Sequence, residues 1–390
     1  MVTANDKIGI LTGGGDVPGL NPVIKSVVYG SSETGRQVIG LRRGWEGLVH
    51  MVGPDDPTYI RELNRENTRT IDRSGGTVLH TSRTNPRRVS EASVPKHLSP
   101  SQVKQLPFDG KHYDFTSIVM DNLERLGIGC LVAIGGDDTL SFASVLSTAG
   151  FPVIAIPKTM DNDVQGTEYC IGFSTAVTRA KQSISRQRTT IGSHERIGIF
   201  RIFGRDAGFT ALYTAYVTSE RCLIPEFPFD LDRLSKLLME DKATNPSNYS
   251  LIIVSEGAMW TGGQVREYGE ADAYGHRKKA DIGQALAEEV HRRTGEETMV
   301  SDLTYDLRSG EPDSIDQLVS ISFANIAVDL IRDGVSGKMI AIRNGCYAEA
   351  PLTDLTLGAR KVNVAKLYNT ERYRPNYRSK LGMPLLFSGS

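Results

Sequence analysis

The residues from Leu131 to Asp163 constrain the fold more than any other stretch of the chain. They read LVAIGGDDTL, then a helix-length spacer, then FPVIAIPKTMDND. The apolar runs Cys130–Ile134 and Val153–Ile156 each end in a polar turn marked by Gly or Pro. Short apolar runs bounded by turn signals are predicted to be buried parallel strands. Asp137, Asp138, Lys158, Asp161 and Asp163 stand in those turns. Ligands of open parallel sheets sit outside the carboxyl ends of the strands. The stretch therefore sets a cluster of charged side chains on a ligand-binding rim.

The same alternation extends in both directions. Lys7–Leu11 is a strand candidate that runs into TGGGDVPGLNP, and a helix begins over Val23–Gly30. A strand, a Gly-rich turn and a helix aim backbone N–H groups at an anion. Pro18 stands where a dinucleotide fingerprint has its third glycine, and no Gly-Lys-Ser or Gly-Lys-Thr follows. The turn is thus neither standard nucleotide loop. Val38–Leu41 is the next strand, and residues 44–70 are polar and irregular. GGTVLHTSRTNPRR at 75–88 brings Arg83, Arg87 and Arg88 near a Gly-Gly turn, a grouping suited to phosphate. Residues 89–113 have little periodicity and are expected to be a surface loop.

Asp114–Leu126 is a helix with Phe115, Ile118, Val119, Leu123 and Leu126 on one face. The helix Leu140–Thr148 joins the two strands named first. Beyond them come a helix from Thr175 to Arg188, a strand over Arg196–Ile202 and a helix over Gly208–Val217. Its Arg179, Lys181, Arg186 and Arg188 form a solvated or subunit-facing surface of the first of these helices. Cys222–Ile224, Tyr249–Val254 and Lys338–Ile342 are further strands, and Ile282–Arg293 and Leu318–Arg332 further helices. Residues 261–283 are expected to form a loop over a site, and the tail 351–390 shows little pattern. Strands alternating with helices are the signature of a doubly wound α/β sheet.

At 390 residues the chain has room for two domains. A net charge of −1 argues against a general nucleic-acid binder. The cysteines at 130, 170, 222 and 346 have no metal-ligand spacing and sit among apolar residues, as reduced buried thiols of a cytoplasmic protein do. The polar N-terminus lacks the pattern of a signal peptide. No unbroken apolar run approaches the roughly 18 residues of a membrane span.

The residues predicted at strand ends or in nearby turns are Gly14, Arg83, Asp137, Asp138, Lys158, Asp161, Asp163, Arg205, Glu256 and Arg308. Acids and cations converge, with no His, Cys or Ser placed as a nucleophile. Phosphoryl transfer needs this mixture: a carboxylate for a metal, cations on the moving group, and an acid near the incoming hydroxyl. Covalent catalysis fits it poorly.

GGDVPGLN, GGTVLHTSR, IGGDDT, PKTMDND, GTEYCIGFSTA, FGRDAG and SEGA occur in the order found in phosphofructokinases, and YDLRSGEPDSID adds a weaker match. The chain resembles that family. The resemblance implies two doubly wound αβα domains with mainly parallel sheets. Residues 1–172 with about 307–357 would bind the phosphoryl donor, and 173–306 with about 358–390 the sugar phosphate. It implies that Asp161 takes the proton from the sugar 1-hydroxyl, with Thr159 and Met160 holding the sugar and Asp163 steadying the base or the metal. Asp137 would bind Mg²⁺, and Gly14 would cradle the donor phosphate through its backbone beside Arg83. Phe203, Gly204 and Arg205 would line the sugar site, with Arg205 facing the moving phosphoryl group. Glu256 would meet sugar hydroxyls, and Tyr305 and Arg308 the 6-phosphate. Arg196 matches an arginine that relatives supply from a neighbouring subunit, which implies a homodimer or homotetramer with shared sites. An unperturbed aspartate, with a pKa near ~3.9, would stand ionised at neutral pH.

Asp138 and Lys158 bear on the donor. ATP-using bacterial members resemble this chain but carry glycine at both places. A carboxylate after Asp137 would repel the α-phosphate of ATP, whereas pyrophosphate ends one phosphate earlier. Lys158 would stabilise charge that develops at the phosphate bridge. The expected reaction is Mg²⁺-dependent, reversible transfer from pyrophosphate to fructose 6-phosphate. The alternatives are an ATP-dependent phosphofructokinase, transfer to another ketose phosphate such as sedoheptulose 7-phosphate, and a non-catalytic sugar-phosphate-binding subunit. Met299 stands where bacterial members have a phosphate-binding arginine, and Tyr305 where they have a histidine.

Overall fold

The inner strands form where apolar residues run nearly without interruption. In a computed structural model, which describes residues 7–262, 267–268, 278–279 and 281–378, the strands build two large sheets besides short two-stranded ones. The first contains β1 (Lys7–Thr12), β2 (Val38–Leu41), β3 (Ile60–Leu63), β4 (Ile128–Gly135) and β5 (Val153–Pro157). The second contains β6 (Ile197–Ile202), β7 (Arg221–Leu223), β8 (Ser250–Ser255) and β9 (Thr298–Asp302). The chain then returns to the first sheet as β10 (Lys338–Arg343) and β11 (Cys346–Pro351).

The seven-stranded sheet runs β11-β10-β5-β4-β1-β2-β3 and is parallel except for its two edge strands, β3 and β11. The four-stranded sheet runs β9-β6-β8-β7 and is parallel throughout. Parallel strands are buried on both faces. Alternate residues accordingly enter opposite cores: Val132, Ile134, Ile154 and Ile156 on one side, Leu131, Ala133, Val153 and Ala155 on the other. The first of these cores continues into the second sheet through Ile199, Phe200, Ile252 and Ile253.

The strand order reverses direction between β1 and β4. Helix α1 (Leu20–Glu33) leaves β1 and packs Val23, Ile24 and Val27 into one core. Helix α2 (Asp137–Thr148) leaves β4 and packs Leu140, Phe142 and Leu146 into the other. Two helices departing to opposite faces open a crevice at the carboxyl ends of their strands, the place where such sheets bind ligands.

Several expectations are corrected. Residues 44–70 contain the helix Trp45–His50 and the strand β3. Trp45 is buried there against Phe142 and donates Nε1–H to the Thr139 carbonyl at 3.2 Å. Asp137 and Asp138 are the first residues of α2, where carboxylates gain from the helix dipole. The helix Leu231–Thr244, capped by the Asp230 side chain, and the strand β9 are absent from the expectations above. In the tail, Tyr368 and Tyr373 are buried against the second sheet. Arg221, itself buried, meets Asp241 at 2.6 Å, and Arg374 joins that carboxylate at 3.1 Å. Cys346 is exposed, unlike the other three cysteines. The helix Ser314–Arg332 has the length and composition of a membrane span, but half of that window is buried and its Val319, Phe323 and Ala327 belong to the core. Most of the loop expected over the site lies outside the described residues, as does 379–390.

Candidate active site

The crevice is built from the turns that leave β1, β4, β5 and β6. Glycines allow these turns to close on one another. A Cβ on Gly13 would lie 2.5 Å from Oγ1 of Thr139, the third residue of α2. Gly14 has φ +77° and donates its N–H to the Ser82 carbonyl at 3.0 Å, while the Thr81 hydroxyl donates to the Gly14 carbonyl at 2.6 Å. The amide of Gly14, whose backbone is expected to cradle a phosphate, is thus engaged within the protein. The residue leaves room instead: a Cβ there would come within 3.1 Å of Lys158 Nζ.

Lys158 follows β5 and is 4% exposed. Its ammonium donates to the Gly15 carbonyl at 2.6 Å. Burial, followed by the nearby Arg308 guanidinium, pulls its pKa down to about 7, against the attraction of Asp16 and Asp138. Arg308 donates to the Asp16 carbonyl at 2.8 Å and lies 4.4 Å from the centre of the Phe203 ring. A residue expected at the sugar phosphate therefore also touches the donor turn and bridges the two sheets. Arg83 is exposed but close enough for its charge to act on both Lys158 and Arg308.

Asp161 is half-buried in the next turn. Its N–H donates to the Thr159 hydroxyl at 3.2 Å, and its carboxylate accepts the Arg205 backbone N–H. Burial, with Asp163 and Glu256 nearby, raises its pKa well above the usual carboxylate range, and Arg308 partly offsets this. The ordinary aspartate of the sequence expectation is thus replaced by a tuned one. Asp163 is likewise raised by burial. Met160 is buried, and its carbonyl accepts the Thr210 hydroxyl at 2.6 Å. Phe203 and Gly204 follow β6, and Glu256 follows β8, where it faces Arg201 at 3.5 Å.

Asp137 shows which group suits a cation. Its Oδ1 is buried without a hydrogen-bond partner, and its pKa is raised to about 7 by burial and by Asp163 and Asp138. Among the described residues there is no ready-made cage of three or more His, Cys, Asp or Glu side chains. Mg²⁺ does not need one, since it is commonly held by one or two carboxylates together with water and substrate phosphates. Asp137 fits such a role.

Two expected residues stand apart. Tyr305 is 81% exposed. Arg196 pairs with Glu297 at 2.6 Å at the amino end of β6. Seven extended residues, about 23 Å, separate it from Phe203.

A set of residues needed for this geometry goes unassigned in the sequence. Asp316 is fully buried and accepts Tyr169 Oη at 2.7 Å, Gly172 N at 2.8 Å, Thr175 N at 2.8 Å and Thr175 Oγ1 at 2.5 Å. Asp313 takes the Ser174 and Thr178 hydroxyls at 2.7 and 2.8 Å. The GTEYCIGFSTA stretch is thereby tied to SID, some 140 residues away, and its Tyr, Gly and Thr have a common partner. No local signal in the sequence links the two. Gly75 has a related purpose: its lack of a side chain lets the backbone press against Gly310.

Fold and site define an α/β protein whose cleft, between the strand ends of two parallel sheets, is lined by carboxylates and cations suited to phosphate chemistry. The phosphofructokinase family model matches residues 7–331. A pyrophosphate--fructose 6-phosphate 1-phosphotransferase of Thermoproteus tenax is 35% identical, covering 95% of this chain and 99% of that protein. One of Streptomyces coelicolor is 36% identical over 92% and 97%. An ATP-dependent 6-phosphofructokinase of Corynebacterium efficiens is 35% identical over 86% and 90%. The crystal structure of a pyrophosphate-dependent phosphofructokinase from Marinobacter aquaeolei superposes with a TM-score of 0.74 at 16% identity, covering 95% of this chain and 89% of that one. The chain belongs to the phosphofructokinase family, whose members are enzymes.

Proposed function

We propose that the chain transfers a phosphoryl group reversibly from pyrophosphate to the 1-hydroxyl of fructose 6-phosphate, giving fructose 1,6-bisphosphate and phosphate. The observation that carries the donor assignment is Lys158. Its ammonium is buried beside Gly14 and bound to the Gly15 carbonyl, in electrostatic contact with Asp138 at the start of α2. A cation fixed there meets the bridge of a short phosphate chain, and Asp138 repels a longer one. The names of the Thermoproteus tenax and Streptomyces coelicolor relatives quoted above support the same donor.

Asp161 accepts the proton of the 1-hydroxyl. A carboxylate raised by burial is a stronger base than a free one when ionised, and its pKa moves toward the working pH. The Arg205 N–H and the Thr159 hydroxyl hold it in place. Arg308 and Lys158 supply positive charge around the moving phosphoryl group, where position and charge carry most of the catalysis. Asp137 would hold Mg²⁺, which would neutralise phosphate charge when bound. The half-buried Arg196 serves a neighbouring subunit in a homo-oligomer. The unpaired thiols suit a reducing, cytoplasmic setting.

A second reading, with ATP as donor, is favoured by relatives of nearly equal identity that bear that name. The test is a coupled assay of the purified chain with fructose 6-phosphate, Mg²⁺ and either donor. Turnover with pyrophosphate and little with ATP is expected; the reverse would overturn the donor assignment.

A further inference from the structure

The segment that follows β11 lies beyond the family match, which ends at residue 331. It nevertheless crosses the catalytic turn. Arg360 donates Nε and Nη2 to the Asn162 carbonyl at 3.2 and 2.6 Å, and Nη2 also reaches the Glu168 carbonyl at 3.1 Å. Its own N–H donates to the Asp163 carbonyl at 2.7 Å. Its guanidinium carbon lies 4.2 Å from the centre of the Phe209 ring. Next to it, Lys361 Nζ donates to the Asp206 carbonyl, and the Val362 N–H donates to Glu226 at 2.9 Å. Glu226 in turn accepts the Gly208 N–H at 3.0 Å.

The contacts of Arg360 gather around one residue. Asn162 follows the base Asp161, is 3% exposed and holds φ +53°, a conformation that side chains seldom adopt. Asn162 also ties its own turn, through Nδ2 to the Glu168 carbonyl at 3.0 Å and Oδ1 to the Cys170 N–H at 2.8 Å. Arg360 binds the backbone carbonyl of Asn162 and shares the Glu168 carbonyl with its side chain. A guanidinium presents several donors in a fixed fork, so it can hold carbonyls 162 and 168 at once; an ammonium is a single point. The same guanidinium rests on Phe209, the first residue of the helix Phe209–Thr218, just after the loop whose Arg205 N–H holds the Asp161 carboxylate. Arg360 thus touches both the main chain that carries the base and the element that aims its side chain.

We infer that Arg360 is a positioning residue for the phosphoryl-transfer step: from the segment that follows β11, it registers the Asp161 turn against the sugar-side loop. The inference rests on the role proposed above for Asp161, but not on the choice of donor. Misplacing a reacting group by about 1 Å costs on the order of 100-fold in rate.

The test compares wild type, Arg360→Ala and Arg360→Lys, using whichever donor the wild type turns over. Donor choice can then fail without affecting the result. Arg360→Ala should lower kcat on the order of 100-fold with KM for either substrate changed only a few-fold, and Arg360→Lys should fall between it and wild type. Added guanidinium ion should restore turnover to Arg360→Ala at concentrations that leave wild type unaffected. A kcat for Arg360→Ala within a few-fold of wild type overturns the inference. So does a loss of turnover that matches the loss of folded protein by thermal melting and resists guanidinium. If Arg360→Ala does not fold, the kcat and KM of Arg360→Lys decide on the same terms.

Discussion

Lys158 carries the most quantitative consequence of the proposed site. Its pKa of about 7 in the free protein, set by burial and Arg308, leaves the side chain neutral above that pH. A phosphate oxygen in contact range acts on it with roughly 5 kcal/mol at an effective dielectric of about 20. At about 1.4 kcal/mol per pKa unit, that suffices to return the ammonium to its ordinary range. Pyrophosphate should then bind together with a proton. The uptake by Lys158 should be about 0.9 proton near pH 8, about half a proton near pH 7 and about 0.1 near pH 6. Titration calorimetry of pyrophosphate binding, in buffers of different ionisation enthalpy and without sugar phosphate, measures it. Protons exchanged by pyrophosphate itself are removed by subtracting the same titration of Lys158→Met. Equal uptake by the two proteins near pH 8 would refute the reasoning.

The sign also fixes a stability effect. A lysine whose folded pKa is depressed contributes stability that is complete above its ordinary 10.5 and lost as the pH falls through about 7. A bound anion removes that loss. The rise in thermal midpoint that pyrophosphate gives wild type beyond Lys158→Met should therefore grow as the pH is lowered from about 9 to about 7.

Three further outcomes follow from the same geometry. Asp161→Asn keeps the shape of the base but cannot accept a proton, so kcat should fall by about 10²–10⁴-fold while the thermal midpoint holds or rises, and steady-state kinetics with melting checks both. Asp138→Gly should bring measurable ATP-dependent turnover at a helix-stability cost of about 1 kcal/mol, and a donor comparison that still excludes ATP would count against the repulsion argument. Asp316→Ala leaves the Gly172 and Thr175 amides and two hydroxyls without their shared acceptor but also removes a buried carboxylate whose pKa is raised to about 6; the net loss in urea unfolding should be about 3 kcal/mol near pH 7.

How much of this was legible depends on how far apart the cooperating residues lie. The β4 and β5 runs announce themselves because a strand buried on both faces must be apolar at every position. The acids after them are legible because the sheet delivers its strand ends to one rim. Leu231–Thr244 was legible too: Asp230 caps it, and Leu231, Leu234, Leu237 and Leu238 repeat at helical spacing. Asp316 and Arg360 were not, since their partners stand more than 140 and nearly 200 residues away in sequence. The pKa of Asp161 belongs partly to the same class: Asp163 stands two residues away, but the burial that dominates the shift, and the charges of Glu256 and Arg308, come from distant parts of the chain. The Gly14 amide shows the opposite risk. A strand, a Gly-rich turn and a helix imply an anion site, yet the 81–82 segment, absent from that local pattern, takes up the amide and leaves the glycine to make room for a lysine. A local pattern thus fixes where ligands meet the sheet, while contacts across the chain decide which atoms are left to bind them.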